Sequence, residues 1–570
     1  MAASSASREP NHAPSDASGY LFLYQDEGGG YDDGQRTSAP AVTPRRLNRG
    51  SRSMTLLIST VAIIFLVSNI YLGLPPYAFS DSSSGSCPCQ PPRVPQYFQT
   101  SPELWPGATA TGKPAFMAQT RVFEPTAAAT FVPNDPLQTS IPIEGMKEGN
   151  KSIFKMMGHL SPYSPSPGFG VDEYPIPEGA EIVQIQMLSR HGARYPNPGS
   201  DVAELGERIA NASGKFNTKG PLEFLMDWKY ELGQDILVPR GRQELFESGV
   251  LHSYMYGRLY NPHSKLIVRT TTRDRMLKSA ENWVAGFFGL EWTNNATIEV
   301  IIEAAGFNNS LAGDLNCPNT AKADYKSPVE AWVEIYLQDA NSRFNNMTDG
   351  FKWTLADVYA AQMMCPFETV AYGSSRFCDL FTYEEWQSFS YSIDLSFSSG
   401  AAFHSATGIN TTLDGMKETF PLNQSLYFDF SHDKDIISIL TAFGFRQFAE
   451  ELPADKYPGD HEFTVSHITP FGARLDIEII KAHKPVSPAR HRYLEGNDTK
   501  YIHFILNQRT IPLGKSFPEC DANRKDGWCE LDTFLKVQEE MAGKAKFDYA
   551  CFGDYPSLPY GKVTDGAPPS

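Results

Sequence analysis

The sequence predicts an α/β protein whose core carries an inserted, mostly helical subdomain, preceded by a disordered tail and one transmembrane helix. Three observations carry that expectation. At three places an apolar strand runs into a polar turn and then a helix or loop. An irregular stretch rich in cysteines and aromatic residues separates the second place from the third. Near the N-terminus one apolar run of 21 residues, 54–74, holds no charge.

Residues 1–53 are rich in Ser, Ala, Gly, Pro and Asp, and passages such as QDEGGGYDDGQ have little to bury; they read as a disordered cytosolic tail. At about 1.5 Å per residue, the run MTLLISTVAIIFLVSNIYLGL crosses roughly 30 Å of hydrocarbon. Arg45, Arg46, Arg49 and Arg52 precede it, and no Lys or Arg follows until Arg93, so the positive-inside rule leaves the N-terminus in the cytosol. This is the arrangement of a single-pass type II signal-anchor protein. A cleaved signal peptide is the alternative, with YAFSD at 77–81 as its cleavage site. The run is longer than the about 7–15 residues of a signal h-region, which favours the anchor.

The remaining residues suit a lumenal or extracellular body, in the secretory pathway, a vacuole or at the cell surface. Glycosylation sequons start at Asn150, Asn211, Asn295, Asn308, Asn346, Asn410, Asn423 and Asn497, all after the anchor. The eight cysteines also follow it, and an even count in an oxidising compartment reads as disulfides. Cys87 and Cys89, in CPC, are too close to bridge each other readily and would link chains or pair elsewhere. No cysteine pair has the spacing, with matching histidines, of a zinc site. Residues 75–150 read as a lumenal stem and N-terminal extension, because PPYAFSDSSSGSCPCQPPRVP is too rich in Pro and Ser to pack. The globular domain is expected over 151–560, with the helical insertion mainly at about 310–425, and 561–570 reads as a disordered tail. A net charge of −17 argues against nucleic acid held on a basic surface. The oligomeric state is not set by these features.

The first strand–turn passage is AEIVQIQMLSRHGARYP, where Ile182, Val183, Ile185, Met187 and Leu188 suit a buried strand. The second, SKLIVRTTTRDRMLKSAENWVAGFFG, has a strand at about 265–269 and then a helix with Met276, Ala280, Trp283, Val284, Phe287 and Phe288 on one face, closed by Gly289. The third, SLYFDFSHDKDIISILTAFGF, has a strand at about 425–430, the turn Ser431-His432-Asp433, and a helix carrying Ile436, Ile437, Leu440 and Phe443. FGARLDIEIIK and KYIHFILNQR alternate like further strands. Ligand sites of α/β sheets lie at the carboxyl ends of strands, so the three turns are expected to converge.

Together they could bind and transfer a phosphoryl group. Arg190, Arg194 and Arg269 supply guanidinium forks that match paired phosphate oxygens. Gly192 would let the backbone approach an anion. His191, between two arginines, is biased to the neutral form that can act as nucleophile. Asp433 would protonate the leaving oxygen and His432 would donate a hydrogen bond to the phosphoryl group. The arginines stabilise the transition state, so the chemistry needs no metal or cofactor. Arg273 and Arg275 are read as serving helix pairing.

LSRHGARYP with a distant SHD resembles the histidine acid phosphatases, whose motif is Arg-His-Gly-x-Arg-x-Pro. VPQYFQTSPELWPG, PRGRQELFESG, VRTTTRDRMLKSAENWVAGFFG and MCPFETVAYGSSRFCDLFTYEEW are similar to the fungal phytase-like members, and the resemblance spans about 90–555. It implies a histidine-phosphatase-like α/β core with an inserted α domain. It implies an acid phosphatase or phytase acting on small phosphorylated substrates, such as phosphomonoesters or myo-inositol hexakisphosphate, through a phosphohistidine. It places Arg190, His191 and Arg194 in the first motif, Arg269 in the strand-end VRT, and His432 and Asp433 in the late motif. It implies three disulfides: Cys365 with Cys378, Cys520 with Cys529, and Cys317 with Cys551. The family's common HDN is here HDKD, with Lys434 beside the proton donor. The alternative reading is a tethered glycoprotein that binds phosphorylated ligands without turnover; a phosphomutase is a weaker third.

Overall fold

The computed structural model describes residues 146–148, 151–307, 309–400, 424–545 and 547–561. The expected tail, the anchor at 54–74, nearly all of the stem, Cys87 and Cys89 lie outside them. Among the described residues no helix is long and apolar enough to cross a membrane.

Runs of β-branched and aromatic residues form one mixed sheet of eight strands. In chain order these are β1 (Ala180–Arg190), β2 (Leu266–Thr271), β3 (Ala296–Ile301), β4 (Leu426–Ser431), β5 (Arg474–Ala482), β6 (Thr499–Leu506), β7 (Arg509–Ile511) and the short β8 (Cys529–Glu530). Across the sheet the order is β7-β6-β5-β1-β4-β2-β3, with β8 also paired to β6. β1, β4, β2 and β3 run parallel, whereas β5 is antiparallel to β1 and β6 to β5. Parallel pairing matters for function. Arg190 is in register with Ser431, so the residues that follow, His191 and His432, emerge side by side at one sheet edge.

β1 is buried along nearly its whole length, as expected of a central strand covered on both faces. On one face Met187 joins Val268, Phe428 and Phe430 beneath two helices, α1 (Pro239–Tyr256) and α2 (Asp274–Phe288). The apolar face of α2 is centred on Trp283, which is fully buried with its ring centroid 4.4 Å from that of Phe428. Leu188 points into the other cluster, shared with helices from the segment read as an insertion. Those helices are α3 (Ser327–Tyr336), α4 (Gln338–Asn346), α5 (Leu355–Tyr372) and α6 (Tyr383–Gly400). Trp386, Phe389 and Tyr391 of α6 are fully buried there. A last helix of the central layer, α7 (Asp433–Phe443), leaves β4 and closes on Gly444 in the left-handed conformation.

Three disulfides join Cys317 to Cys551, Cys365 to Cys378 and Cys520 to Cys529. The first ties the segment before α3 to the C-terminal end of the described chain, across a separation of 234 residues. Of the sequon asparagines, Asn211, Asn346 and Asn497 are exposed and Asn295 is half-buried. Asn150, Asn308, Asn410 and Asn423 lie outside the described residues.

Trp283→Ala removes the largest side chain between α2 and the sheet. It should lower stability by about 3–5 kcal/mol, read as a fall in the urea midpoint without a change in slope.

Candidate active site

The loop after β1 is held from below before it presents anything to solvent. The guanidinium of Arg190, the last residue of β1, is wholly buried. Its Nη1 donates to the carbonyl of Thr469 (2.9 Å) and to that of His159. Its Nη2 lies 2.6 Å from Oδ2 of Asp433, the first residue of α7, and its plane covers the Phe471 ring at 4.7 Å. The fork expected to face a phosphate therefore already holds two carbonyls and a carboxylate.

His191 follows, with about 1% of its surface exposed. Its Nδ1 is 2.9 Å from the carbonyl oxygen of Gly192. A carbonyl only accepts, so Nδ1 carries the proton and Nε2 keeps the lone pair. Burial lowers the pKa of His191 well below the usual histidine value, and the charges of Arg190, Arg275 and Arg194 push it the same way. The imidazole is thus held neutral, with its lone pair on Nε2.

Gly192 does a different job from the one its sequence suggested. A Cβ there would fall 2.2 Å from the carbonyl oxygen of Gly241, and one on Gly241 would fall 2.0 Å from that of Ala193. The two glycines let the loop lie against the first turn of α1; no anion is needed to explain them. The N–H of Gly192 donates to Oγ of Ser279 (3.2 Å), and that of Ala193 to the buried carboxylate of Glu244 (2.8 Å). Glu244 also receives the N–H of Tyr163 at 3.2 Å. Arg194 is buried, with Nη1 on the carbonyl of its neighbour Tyr195 at 2.9 Å.

Arg269 does not join this group. It stands in the middle of β2 in register with Asp429 of β4, and its Nε donates to that carboxylate at 2.7 Å, with Nη2 on the other oxygen. The period of two puts both side chains on one face of the sheet, short of the strand ends. Arg275, expected to serve only helix pairing, is the arginine of this passage that acts on His191. It is about 1% exposed and bound to Asp235, a non-glycine residue with φ of 64°. Asp235 also lies 3.9 Å from Arg273.

His432 and His191 stand edge to face, their ring centroids 5.8 Å apart. Nε2 of His432 is 3.1 Å from the carboxylate of Glu303, just beyond β3. His159 is a third buried histidine, under Asp433 and against the Phe397 ring. Burial pulls its pKa well down; Asp433 opposes and Arg190 reinforces the shift. Neither His159, Glu244, Glu303 nor Asp235 stands in a motif that would flag it. Among the described residues no group of three or more His, Cys, Asp or Glu is arranged to hold a metal ion.

The model of the histidine phosphatase superfamily (branch 2) matches residues 181–507. The chain belongs to this family. It is 30% identical over 448 residues to Phytase PHO112 of Candida albicans, covering 73% of this chain and 92% of that protein. It is 27% identical over 435 residues to an acid phosphatase of Schizosaccharomyces pombe, covering 70% and 91%. Among solved structures, the phytase of D. castellii superposes with a TM-score of 0.62 at 25% identity, covering 71% of this chain and 89% of that one.

The depressed pKa values set a sign for stability. A histidine kept neutral when folded binds protons more readily when unfolded, so stability is lost as pH falls below the unfolded value near 6.5. Each such group costs up to about 1.4 kcal/mol per pH unit until its folded pKa is reached. His159→Gln should therefore flatten the fall of the urea midpoint between pH 6.5 and 4.5.

Proposed function

We propose that this chain hydrolyses phosphomonoesters at acid pH through a phosphohistidine on His191. The observation that carries the reading is a buried imidazole, protonated on Nδ1, neutral, and surrounded by the charges of Arg190, Arg194 and Arg275. Such a group keeps its nucleophile at pH values where a free histidine would be charged, and its surroundings stabilise the charge of a transferring phosphoryl group. Membership of the family supports the same activity.

The lone pair of Nε2 attacks phosphorus, the bond from phosphorus to the ester oxygen breaks, and Asp433 gives that oxygen its proton. Water then attacks the phosphohistidine, Asp433 takes up a proton, the P–N bond breaks, and phosphate leaves. In the free protein Asp433 is paired with Arg190, which favours the carboxylate. Phosphoryl oxygens compete for that guanidinium, and their arrival releases Asp433 to hold the proton it must donate. Acid pH assists the same step. Arg190, Arg194 and Arg275 take the phosphate-binding role in this reading, with His432 as a further donor. Arg269 is left to the sheet.

The relatives are named as phytases and an acid phosphatase, so the substrates proposed are inositol phosphates and other small phosphomonoesters. Binding without turnover is not favoured, because the chain keeps a candidate nucleophile in His191 and a candidate acid in Asp433 and its relatives are named as phosphatases and phytases. Outside the described residues, 54–74 is proposed as a signal anchor that keeps the globular domain of 151–560, with its inserted helices, lumenal or extracellular. The eight sequons are proposed as glycan sites, which that topology would make accessible.

His191→Ala should abolish phosphate release from an aryl phosphate and from phytate between pH 3 and 7, and trapping in acid-quenched wild type should show phosphate on His191. Asp433→Asn should lose about 10²–10⁴-fold on an alkyl phosphate and far less on an aryl phosphate with a good leaving group. Equal losses on both would sink the acid role.

The two arginines of the second passage separate cleanly. Arg275→Gln should lower kcat/KM by about 10²-fold or more, whereas Arg269→Gln should lower thermal stability and leave kcat/KM within about threefold. The reverse pattern would return the role to Arg269.

A further inference from the structure

A buried pair of titratable groups stands behind the seat of Arg190. Asp394 of α6 and His461 of the loop after α7 are 1% and 5% exposed in their side chains, with Oδ2 of the first 3.0 Å from Nε2 of the second. Nδ1 of His461 lies 2.8 Å from the carbonyl oxygen of Gly459. The other carboxylate oxygen, Oδ1 of Asp394, accepts the N–H of Val465 at 2.7 Å. Val465 opens the one-turn helix Val465–Ile468, and the chain just beyond it meets the loop after β1. Thr469 offers its carbonyl to Arg190 at 2.9 Å, and the Phe471 ring lies under the same guanidinium. The N–H of Gly472 donates to the carbonyl of His191 at 2.9 Å.

Both ring nitrogens of His461 therefore face acceptors. A carbonyl only accepts, so Nδ1 carries a hydrogen, and the contact with Asp394 needs a further proton between Nε2 and Oδ2. Without it a lone pair would face a carboxylate. Burial pulls the pKa of His461 down, yet the hydrogen bond and charge of Asp394 outweigh burial and carry it above the usual histidine value. The Gly459 carbonyl and Glu450 act in the same direction. Burial also raises the pKa of Asp394, against the opposing effect of His461. Each partner thus holds a proton more tightly than it would in water. Tyr391 of α6 and Tyr457 meet the imidazole edge to face, and Asp460 acts on Tyr457. Tyr560 stands within reach of the charge on Asp394, and Lys515 is paired with Glu462.

We infer that Asp394 and His461 are positioning residues whose shared proton ties α6 to the segment 465–473, so that the seat of Arg190 is firm at acid pH and loosens when the proton is lost. The inference rests on the phosphomonoesterase reading above, which makes Arg190 a phosphate ligand.

The test sets full-length glycosylated protein beside two variants and follows the ratio of variant to wild-type kcat/KM on an aryl phosphate, from about pH 5.5 to 8.5. The ratio cancels titrations that all three proteins share. Asp394→Asn donates from its amide to a neutral His461, which burial favours, and keeps the tie without the extra proton. Its ratio should lie within about threefold of one at pH 5.5 and rise to about tenfold at pH 8.5. His461→Ala has no tie at any pH, so its ratio should lie about tenfold below one at pH 5.5 and approach one at pH 8.5. The urea midpoint of wild type should also fall relative to that of Asp394→Asn as pH rises. A raised folded pKa gives stability that is full below the unfolded value near 6.5 and is lost as pH rises through the folded value. Ratios that do not change with pH in either variant overturn the inference and leave the pair a structural contact. If Asp394→Asn does not fold, His461→Ala decides alone. If wild type releases no phosphate, or releases it equally with His191→Ala, the functional reading fails instead, and the urea midpoints still test the tie.

Discussion

The buried guanidinium of Arg190 is the constraint on which the rest of the site depends. A charge without access to water is costly unless it is paired, and removing the charged partner of a buried pair costs about 3–5 kcal/mol. Here the partners come from three separate parts of the chain: the carbonyl of His159, the carbonyl of Thr469 and the carboxylate of Asp433. Asp433 and the loops on either side are thereby placed by the residue next to His191. The parallel register of β1 with β4 does the rest, because it sets His191 and His432 on adjacent strand ends.

Around this centre stands a second ring of groups, mostly carboxylates, that never needs to touch substrate. Glu244 holds the backbone of the loop after His191, Asp235 holds Arg275, and Glu303 holds His432 and Arg273. Each of the last two offsets the cost of gathering cations in one place. The arrangement also answers how a chain with a net charge of −17 can prepare a site for an anion. Local guanidinium groups, desolvated and close, outweigh a global field that water and salt screen.

The same desolvation carries a cost. His191 and His159 are kept neutral by burial, which preserves the lone pair that the proposed reaction uses on His191 and makes the fold lose stability at acid pH. Function and stability are opposed at these two positions, and three disulfides together with a large aromatic core supply the reserve.

Much of this was legible in the sequence. Strand periodicity located β1, β2 and β4, because alternation and burial are local properties of a few consecutive residues, and Gly289 marked a helix end for the same reason. The setting of His191 was legible because RHGAR packs its charges next to it in the chain. Only the tertiary structure decided which arginine of VRTTTRDR stands by His191. Arg269 and Arg275 are equally plausible as letters, and the choice follows from a cross-strand register that spends Arg269 on Asp429 and a helix that turns Arg275 inward. Glu303, Glu244 and His159 were invisible for a related reason. Each acts through one contact with a residue far away in sequence, and such contacts exist only once the sheet has set its strand order.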